Sequence, residues 1–573
     1  MEQGMRLVAV PARGIRALAA ARWGLVTTVV AALALGLWGL QDYTSDPRHE
    51  TNDGLLDLIY YDLQLFVLGS SPLEAGGPIP WPLQIARFLA PAATVYFLFE
   101  AARAMFADTW RLVRQRSMSG HAVVTGKTPT AAAIAAELQA SGRRVIRTET
   151  GDASSLYDAG VQGARVLYAC ADDSTDSSIN VLTAATASRA RRARKAGPLA
   201  VYAQVSDPAY ALALRARHLS QPNTGSDFFN TDELAARELV RRDAATFEDA
   251  VPHVVIAGLG AFGQALVVEL ARMWQLSPRC GERLSVTLVD PAAEIIADDL
   301  RRRWPAVVQS CLLRPFPGDL RTAVDDESVP PHRTYLCFDD EDASVLAALT
   351  LAPLWRGGPH SLVLPLDRLA RLVEVFGQDS TSLLDDIEGQ LWPISVGSLI
   401  FNVTPGESGT IHEDIYERLA QSIHHIYLQR RVAQGARLGD TAAMVPWERL
   451  DTGFREANLQ QARNIGAKLI ALGCTVAPRT GSGVDRIDDT LIESLAVAEH
   501  DRWVAERISQ GWRFGEVRDD RVKLHPSIKP WGDLSEAERD KDRDVVRDIP
   551  LILADYGLQV VRLTPPAVAP PTT

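Results

Sequence analysis

Five cysteines in 573 residues, Cys170, Cys280, Cys311, Cys337 and Cys474, share no short spacing. This excludes a disulfide-stapled scaffold and a Cys-x-x-Cys metal or redox centre, and it suits a reducing cytosol. Positive charge is also in short supply. The formal net charge is −12, the wrong sign for a general nucleic-acid binder. Lysine is scarce beside arginine and alanine is abundant, a balance typical of GC-rich bacterial coding sequence. No nucleophile elbow is present, and Gly126-Lys127-Thr128 lacks the upstream glycine of a phosphate-binding P-loop. His412, His424 and His425 have no carboxylate or cysteine at metal-ligand spacing, and no catalytic acid–base pair suggests itself. The expectation is therefore a protein that is not an enzyme and holds no metal.

Long hydrophobic runs, by contrast, are there. Trp23 to Leu40 carries no charge and is long enough for a spanning helix, which needs about 20 residues. Its exit, Trp38-Gly39-Leu40-Gln41-Asp42, is not a small-residue cleavage site. A second run, Trp81 to Phe106, is interrupted by Arg87, Pro91, Glu100 and Arg103. A proline is tolerated in a membrane helix as a kink, and Arg87 either snorkels to the interface or faces water. Arg6, Arg13, Arg16 and Arg22 precede the first run; Arg103 closes the second, and Arg111, Arg114 and Arg116 follow it. Positive flanks stay inside, so both termini are expected in the cytoplasm of a bacterial inner membrane, with 41–80 outside. That loop holds Asp42, Asp46, Glu50, Asp53, Asp57, Asp62 and Glu74 against Arg48. It is either a cation-concentrating mouth or an ordinary solvated loop. Within it Leu55 to Leu68 is too short to span and reads as a re-entrant or interfacial helix.

At this length several domains are expected. His121–Thr125, Arg144–Glu149 and Arg165–Cys170 read as buried strands alternating with helices, the pattern of a parallel sheet. Gly126, Thr128 and Ala131 form a degenerate glycine fingerprint, with Glu149 at the end of the next strand. A second set starts at Pro252–Ala257, followed by Gly258-Leu259-Gly260-Ala261-Phe262-Gly263 and a helix to Trp274. Three glycines allow the tight turn, the approach of a pyrophosphate and the helix–strand packing. Asp290, ending the strand Leu284–Asp290, would take a ribose. NAD(H) or another adenine nucleotide is the expected cofactor, with the second copy the better site. Gly151-Asp152 before Ala171-Asp172-Asp173, and Gly318-Asp319 before Phe338-Asp339-Asp340, extend the repeat.

The last third carries a further repeat. Glu417, Leu419, His424, Arg431, Gly435 and Gly439 align without gaps on Glu493, Leu495, His500, Arg507, Gly511 and Gly515. After an insertion, Val517 to Lys529, in the second copy, Pro446-Trp447 matches Pro530-Trp531, Gly473 matches Gly557 and Val476 matches Val560. Two copies imply a pseudo-symmetric unit with one shared core. His500, Trp503, Arg507, Trp512 and Trp531, with the basic insertion, make a candidate pocket for an anionic ligand. The alternative is that the tryptophans are core and His500 a satisfied core histidine.

Three resemblances follow from these residues. The order of helix, short helix and helix resembles a two-helix pore-loop channel subunit, although Leu68-Gly-Ser-Ser-Pro72 replaces a Thr-Val-Gly-Tyr-Gly filter. The Gly-loop and Gly-Asp patterns over about 119–400 resemble two tandem RCK domains (regulator of potassium conductance, also called Trk-type NAD-binding). In the first copy Asn180 follows the Asp pair as the family often has it, while the second has Ala347. Glu493, Leu495-Ala496, His500, Trp503, Gly511-Trp512, Phe514-Gly515, Pro526, Pro530 and Leu534 resemble the RyR repeat of ryanodine receptors; the first copy, with Ala436 for Trp512, is degenerate. The implied class is α/β: a transmembrane α-hairpin, two Rossmann-like domains and a mainly helical tandem RyR repeat. The expected boundaries are 1–22 cytoplasmic, 23–106 hairpin with spans 23–40 and 81–106, 107–118 linker, 119–247 and 248–405 Rossmann-like, 406–563 RyR with repeats 411–476 and 487–563, and 564–573 tail. The RCK resemblance implies a tetramer-type homo-oligomeric ring whose ligand moves a pore, and makes Thr109–Met118 the linker helix. The expected function is a ligand-gated, cation-channel-like protein of the membrane. The alternative is a membrane-anchored small-molecule receptor or stress effector; a membrane-tethered NAD-dependent oxidoreductase is least favoured.

Overall fold

The computed structural model describes residues 12–45, 54–69, 78–170, 176–193, 199–220, 226–247, 252–277, 279, 281–325, 331–357, 360–366, 369, 391–401, 415–481, 486–519 and 521–563. The chain divides into two compact units, Met1–Arg114 and Gln115–Thr573.

The first unit contains helices α1 (Ala12–Thr44) and α2 (Leu55–Leu65) and most of α3 (Trp81–Arg116). Two stretches, Val26–Thr44 and Trp81–Arg103, are long and apolar enough to cross a membrane. Both fall where the hydrophobic runs place them, and α2 is the expected short helix. Glycine decides how α1 meets its neighbours. A Cβ on Gly36 would overlap the Asp62 carboxylate of α2, and one on Gly39 would overlap the Leu83 backbone of α3. Small residues are what allow helices to approach closely in lipid. Leu40, Tyr43, Leu58, Leu65, Leu83 and Ala86 fill the resulting core. Asp62, one of the acids of the 41–80 segment, is only 1% exposed and packs against Gly36 of α1. Asp46, Arg48, Glu50, Asp53 and Glu74, with Ser70–Pro72, lie outside the described residues. Helix α3 runs without a break through 109–116, so the expected linker helix continues the second apolar helix.

In the second unit, strands β1 (Ala122–Thr125), β2 (Val145–Thr148), β3 (Val166–Ala169), β4 (Ala200–Gln204) and β5 (Ser226–Phe229) form an all-parallel sheet in the order β2-β1-β3-β4-β5. Strands β6 (His253–Ala257), β7 (Leu284–Val289), β8 (Cys311–Phe316), β9 (Arg333–Leu336), β10 (Leu362–Leu366) and β11 (Leu391–Ser395) form a second, ordered β11-β10-β9-β6-β7-β8. Renumbered within its domain and read from the other edge, this is 3-2-1-4-5-6, the doubly wound dinucleotide-binding order. The first sheet lacks the strand equivalent to β8. Its Gly151-Asp152 follows β2 directly, whereas Gly318-Asp319 follows β8, so the first copy has lost one edge strand and its crossover. Near-continuous apolar runs explain the burial: β1, β3, β9 and β10 are buried along their whole length, as parallel strands covered on both faces must be.

The two sheets are tied together by charge. Arg333 at the start of β9 forms a two-pronged ion pair with Asp243, which ends the helix Thr231–Asp243 of the first domain, at 2.8–3.0 Å. Both side chains are nearly fully buried.

The last third is two copies of one unit. Helix Ile415–Ala433 leads to a loop, helix Thr452–Ala471 and strand β12 (Cys474–Pro478). Helix Asp489–Ser509 leads to the short parallel pair β13 (Arg513–Phe514) and β14 (Leu524–His525), helices Glu536–Arg547 and Ile549–Ala554, and β15 (Leu558–Arg562). Pro550 stands where the first copy has Gly466, which is why the second copy's helix is broken. Positive φ recurs at Gly435 and Gly511, and again at Gly473 and Gly557. Leu419, Ile423, Ile465, Leu469, Leu495, Ile552 and Val560 share one core. Leu212, Ala216 and Leu219 of the helix Pro208–Leu219 belong to the same cluster. A Cβ on Gly466 would overlap the Leu219 carbonyl, and Ser220 Oγ lies 2.9 Å from Thr475 Oγ1. The repeat is thus packed onto the first sheet domain rather than appended to it.

Candidate functional site

The crevice beside the second sheet is built from β6, the Gly258–Gly263 loop and helix α9 (Ala261–Leu276). Gly258 has φ +87°, and a Cβ there would lie 2.6 Å from backbone atoms of Cys337. A Cβ on Gly263 would overlap the Gly258 carbonyl. These two glycines are demanded by backbone crowding. Gly260 is different: the atom its Cβ would meet is the Asp339 carboxylate, an exposed side chain that can move. Gly260 is also the N-cap of α9 and supplies no side-chain cap. The first-turn N–H groups of α9 therefore face the crevice without a capping side chain, the arrangement that receives phosphate. Asp290 lines the same mouth. Its Oδ2 accepts the Leu259 N–H at 3.0 Å and its Oδ1 the Ala292 N–H at 2.8 Å. Each carboxylate oxygen keeps a further lone pair for a hydroxyl.

Asp339 is a residue at this loop to which the motif reading gave no role. It belongs to Phe338-Asp339-Asp340, recognised only as a repeat, yet its carboxylate stands over the loop where a phosphate would arrive. Sequence spacing cannot show this, because the contact joins the end of β9 to the loop after β6.

In the first crevice the corresponding groups are engaged within the chain. Thr128 caps helix α4 (Pro129–Ala140), its hydroxyl accepting the Ala131 N–H at 2.7 Å. Lys127 Nζ bridges to Glu149 Oε2 at 2.8 Å between two exposed side chains. The cap takes one first-turn N–H of α4, and the bridge places Lys127 beside the Glu149 carboxylate. Gly126 retains the turn, at φ +110°.

Asp152 and Asp319 are helix caps. Asp152 Oδ1 accepts the N–H of Ser154 and Ser155 at 2.9 and 3.0 Å, and the hydroxyls of Ser154 and Thr150 hold its carboxyl well below the usual range. Asp319 Oδ1 accepts the Thr322 N–H at 2.8 Å and hydroxyl at 2.7 Å, which lowers its pKa. Gly318 accommodates the Phe316 ring, 2.7 Å from a Cβ placed there. Asn180, buried, donates to the Gln204 carbonyl at 3.0 Å. Asp172 and Asp173 lie outside the described residues.

In the second repeat the five singled-out residues come together. His500 lies 6.1 Å from Trp503 and 5.7 Å from Trp531, centroid to centroid. The Arg507 guanidinium stands 5.7 Å from the Trp503 ring and 5.3 Å from the Trp512 ring, within cation–π range. His525, which the sequence reading left unassigned inside the insertion, lies 4.9 Å from Trp503 and 6.3 Å from Trp512. His500 itself is 1% exposed. Its Nε2 donates to the Lys529 carbonyl at 2.8 Å and its Nδ1 lies 3.1 Å from Asp542. With both nitrogens engaged, His500 is the satisfied core histidine of the two readings, and Trp503, Arg507, Trp512 and His525 form the accessible cluster. The first copy reproduces the frame: His424 Nε2 donates to the Val445 carbonyl at 2.7 Å. In both copies the accepting carbonyl precedes the Pro-Trp pair. Arg455 stands 5.7 Å from Trp447 as Arg539 stands 5.8 Å from Trp531.

Comparison with known proteins bears on this last region. The family model described as RyR domain matches residues 484–562, the second repeat. Among solved structures, the crystal structure of GsuK bound to ADP is similar at 15% identity over 67% of this chain and 96% of that one, with a TM-score of 0.33. The GsuK channel bound to NAD is similar at 12% identity over 83% and 88% of the two chains, with a TM-score of 0.32. The match to the RyR domain model thus falls on the second of the two C-terminal repeats.

Proposed function

We propose that the chain is a membrane-embedded, channel-like protein whose cytosolic part is controlled by a nucleotide, and that it works without catalytic turnover. The observation that carries this reading is the Gly258–Gly263 crevice. An uncapped helix N-terminus, two sterically required glycines and the Asp290 carboxylate sit in one chain with two apolar helices flanking a short third. Nucleotide binding at that crevice would favour one arrangement of the cytosolic domains over another, and an effect on the apolar helices follows only to the extent of that preference. NAD(H) or another adenine nucleotide fits the expected chemistry, with the adenosine ribose on Asp290 and the pyrophosphate on the α9 N-terminus. A homo-oligomeric ring in a bacterial inner membrane, with both termini inside, completes the proposal.

One observation favours a second version. The short helix α2 is followed by Leu68-Gly69-Ser70 and not by a carbonyl-lined potassium filter motif, so the hairpin could serve a receptor or stress effector without selective conduction. Ion flux through purified protein in liposomes, with and without NAD(H), ATP and cyclic nucleotides, separates the two. Ligand-dependent flux supports the channel; nucleotide binding with no flux under any condition overturns it in favour of the receptor.

A further inference from the structure

A cavity of about 1260 Å³ lies where the two sheet domains and the first C-terminal repeat meet. It reaches the Gly258–Gly263 loop only at Ala261, and its walls are the helices Pro208–Leu219, Thr231–Asp243 and Ile415–Ala433 and one face of α9 from Ala261 to Gln275. Its charges are unevenly satisfied. Glu233 pairs with Arg215 at 2.7 Å, Asp299 pairs with Arg303 at 2.9 Å, and Glu269 pairs with Arg272. Arg418 has no such partner. It is 7% exposed and lines the cavity, and among the described residues no hydrogen bond or ion pair engages its guanidinium; Nε is orphaned outright. Arg215, 4% exposed, keeps one orphaned guanidinium nitrogen beside it. Burial, with Arg215 and Arg237 close by, disfavours the Arg418 charge and outweighs the nearby Asp227 and Glu233 carboxylates, neither of which bonds to it. An uncompensated buried cation is costly, and it is retained where something else supplies the counter-charge. The cavity also offers His425, whose buried Nε2 has no partner, and the Trp447 ring.

We propose that this cavity binds a phosphate-bearing aromatic ligand of nucleotide size, with Arg418 and Arg215 gripping the phosphate and Trp447 and His425 receiving the ring. Planar guanidinium forks suit a multivalent phosphate better than a single carboxylate. The volume exceeds the roughly 300–1,000 Å³ usual for small-molecule sites. A ligand here touches both sheet domains and the repeat at once, so it is a second input beside the Gly-loop crevice.

The test uses full-length protein in detergent, with ADP and inorganic pyrophosphate as probes, read by calorimetric titration and thermal shift. Gly260→Asp blocks the Gly-loop crevice at a residue that does not itself line this cavity. The expected result is ADP binding that survives Gly260→Asp and weakens about tenfold or more in Arg418→Met, with pyrophosphate binding more weakly at the same site. Unliganded Arg418→Met should melt no lower than wild type, since it removes an unpaired buried charge. If Arg418→Met does not fold, Arg418→Lys keeps the charge and loses the fork; weakened ADP binding supports the site. ADP binding unchanged in the Arg418 variant, ADP binding abolished by Gly260→Asp, or no response to either probe at millimolar concentration overturns it.

Discussion

Val476 and Val560 face each other as partners in the antiparallel ribbon β12–β15, and each is the same position of its own repeat. Cys474 pairs with Arg562 and Pro478 with Leu558, so the pairing maps onto itself when the copies are exchanged. A pseudo-two-fold axis passes between the two valines. Each repeat contributes a single strand, which cannot satisfy its backbone alone, and the pair closes only when both copies are present.

Val560 is 1% exposed in the core both copies share. Val560→Asp buries an unpaired carboxylate there, at a cost of several kcal/mol. Because the ribbon joins the copies, both repeats should lose protection together. Hydrogen exchange over 415–562 checks this; loss confined to 489–562 would show two independent units.

Gly258 and Gly260 should respond differently to alanine. At Gly258 the side chain meets immovable backbone at a positive φ, so Gly258→Ala should cost a few kcal/mol of stability or prevent folding. At Gly260 it meets only the Asp339 carboxylate, so Gly260→Ala should fold and bind nucleotide more weakly. Removing that carboxylate's charge with Asp339→Asn should tighten binding about fivefold, the value of one like-charge interaction near 1 kcal/mol at a wet site. Thermal unfolding and calorimetric titration separate the two effects.

Glu499 is buried between Lys468 Nζ at 2.7 Å and the Arg502 guanidinium at 2.7 and 3.0 Å. Glu499→Gln strands a buried Lys468 and should cost about 3–5 kcal/mol. Lys468→Met leaves Glu499 held by Arg502 and should cost clearly less. Burial works to raise the Glu499 carboxyl, but Arg502 and Lys468 outweigh it and hold it low. Its folded pKa is thus below the unfolded value near 4.3, so its contribution is full above that pH and is lost as pH falls through the folded value. Denaturation midpoints of the two variants, and acid titration of wild type, test this.

His425 is pushed down to about 4 by burial, with His424 adding to the effect. An unfolded histidine titrates near 6.5. Neutral His425 therefore stabilises the fold fully above 6.5, and that stability is lost as pH falls towards 4. Acidification from pH 7 to 5 should cost at most about 2 kcal/mol from this group. His425→Gln should flatten the melting temperature over that window; an unchanged slope assigns the pH dependence elsewhere.

Much of the architecture was legible from local pattern. Apolar runs located α1 and α3, β-rich runs before glycine turns located β1, β6 and β7, and the matched spacing around His424 and His500 foretold two copies in a common frame. These signals are carried by residues adjacent in the chain, where periodicity and turn chemistry act directly. Tertiary structure decided what depends on distant segments meeting. It made Asp152 and Asp319 helix caps, engaged both nitrogens of His500, buried Asp62 against Gly36, and stood Asp339 over the Gly-rich loop. It also left the Arg418 guanidinium without a bonded carboxylate in a cavity shared by three domains. Burial and electrostatic pairing are properties of the assembled neighbourhood, and no one-dimensional spacing records which carboxylate a buried cation will meet.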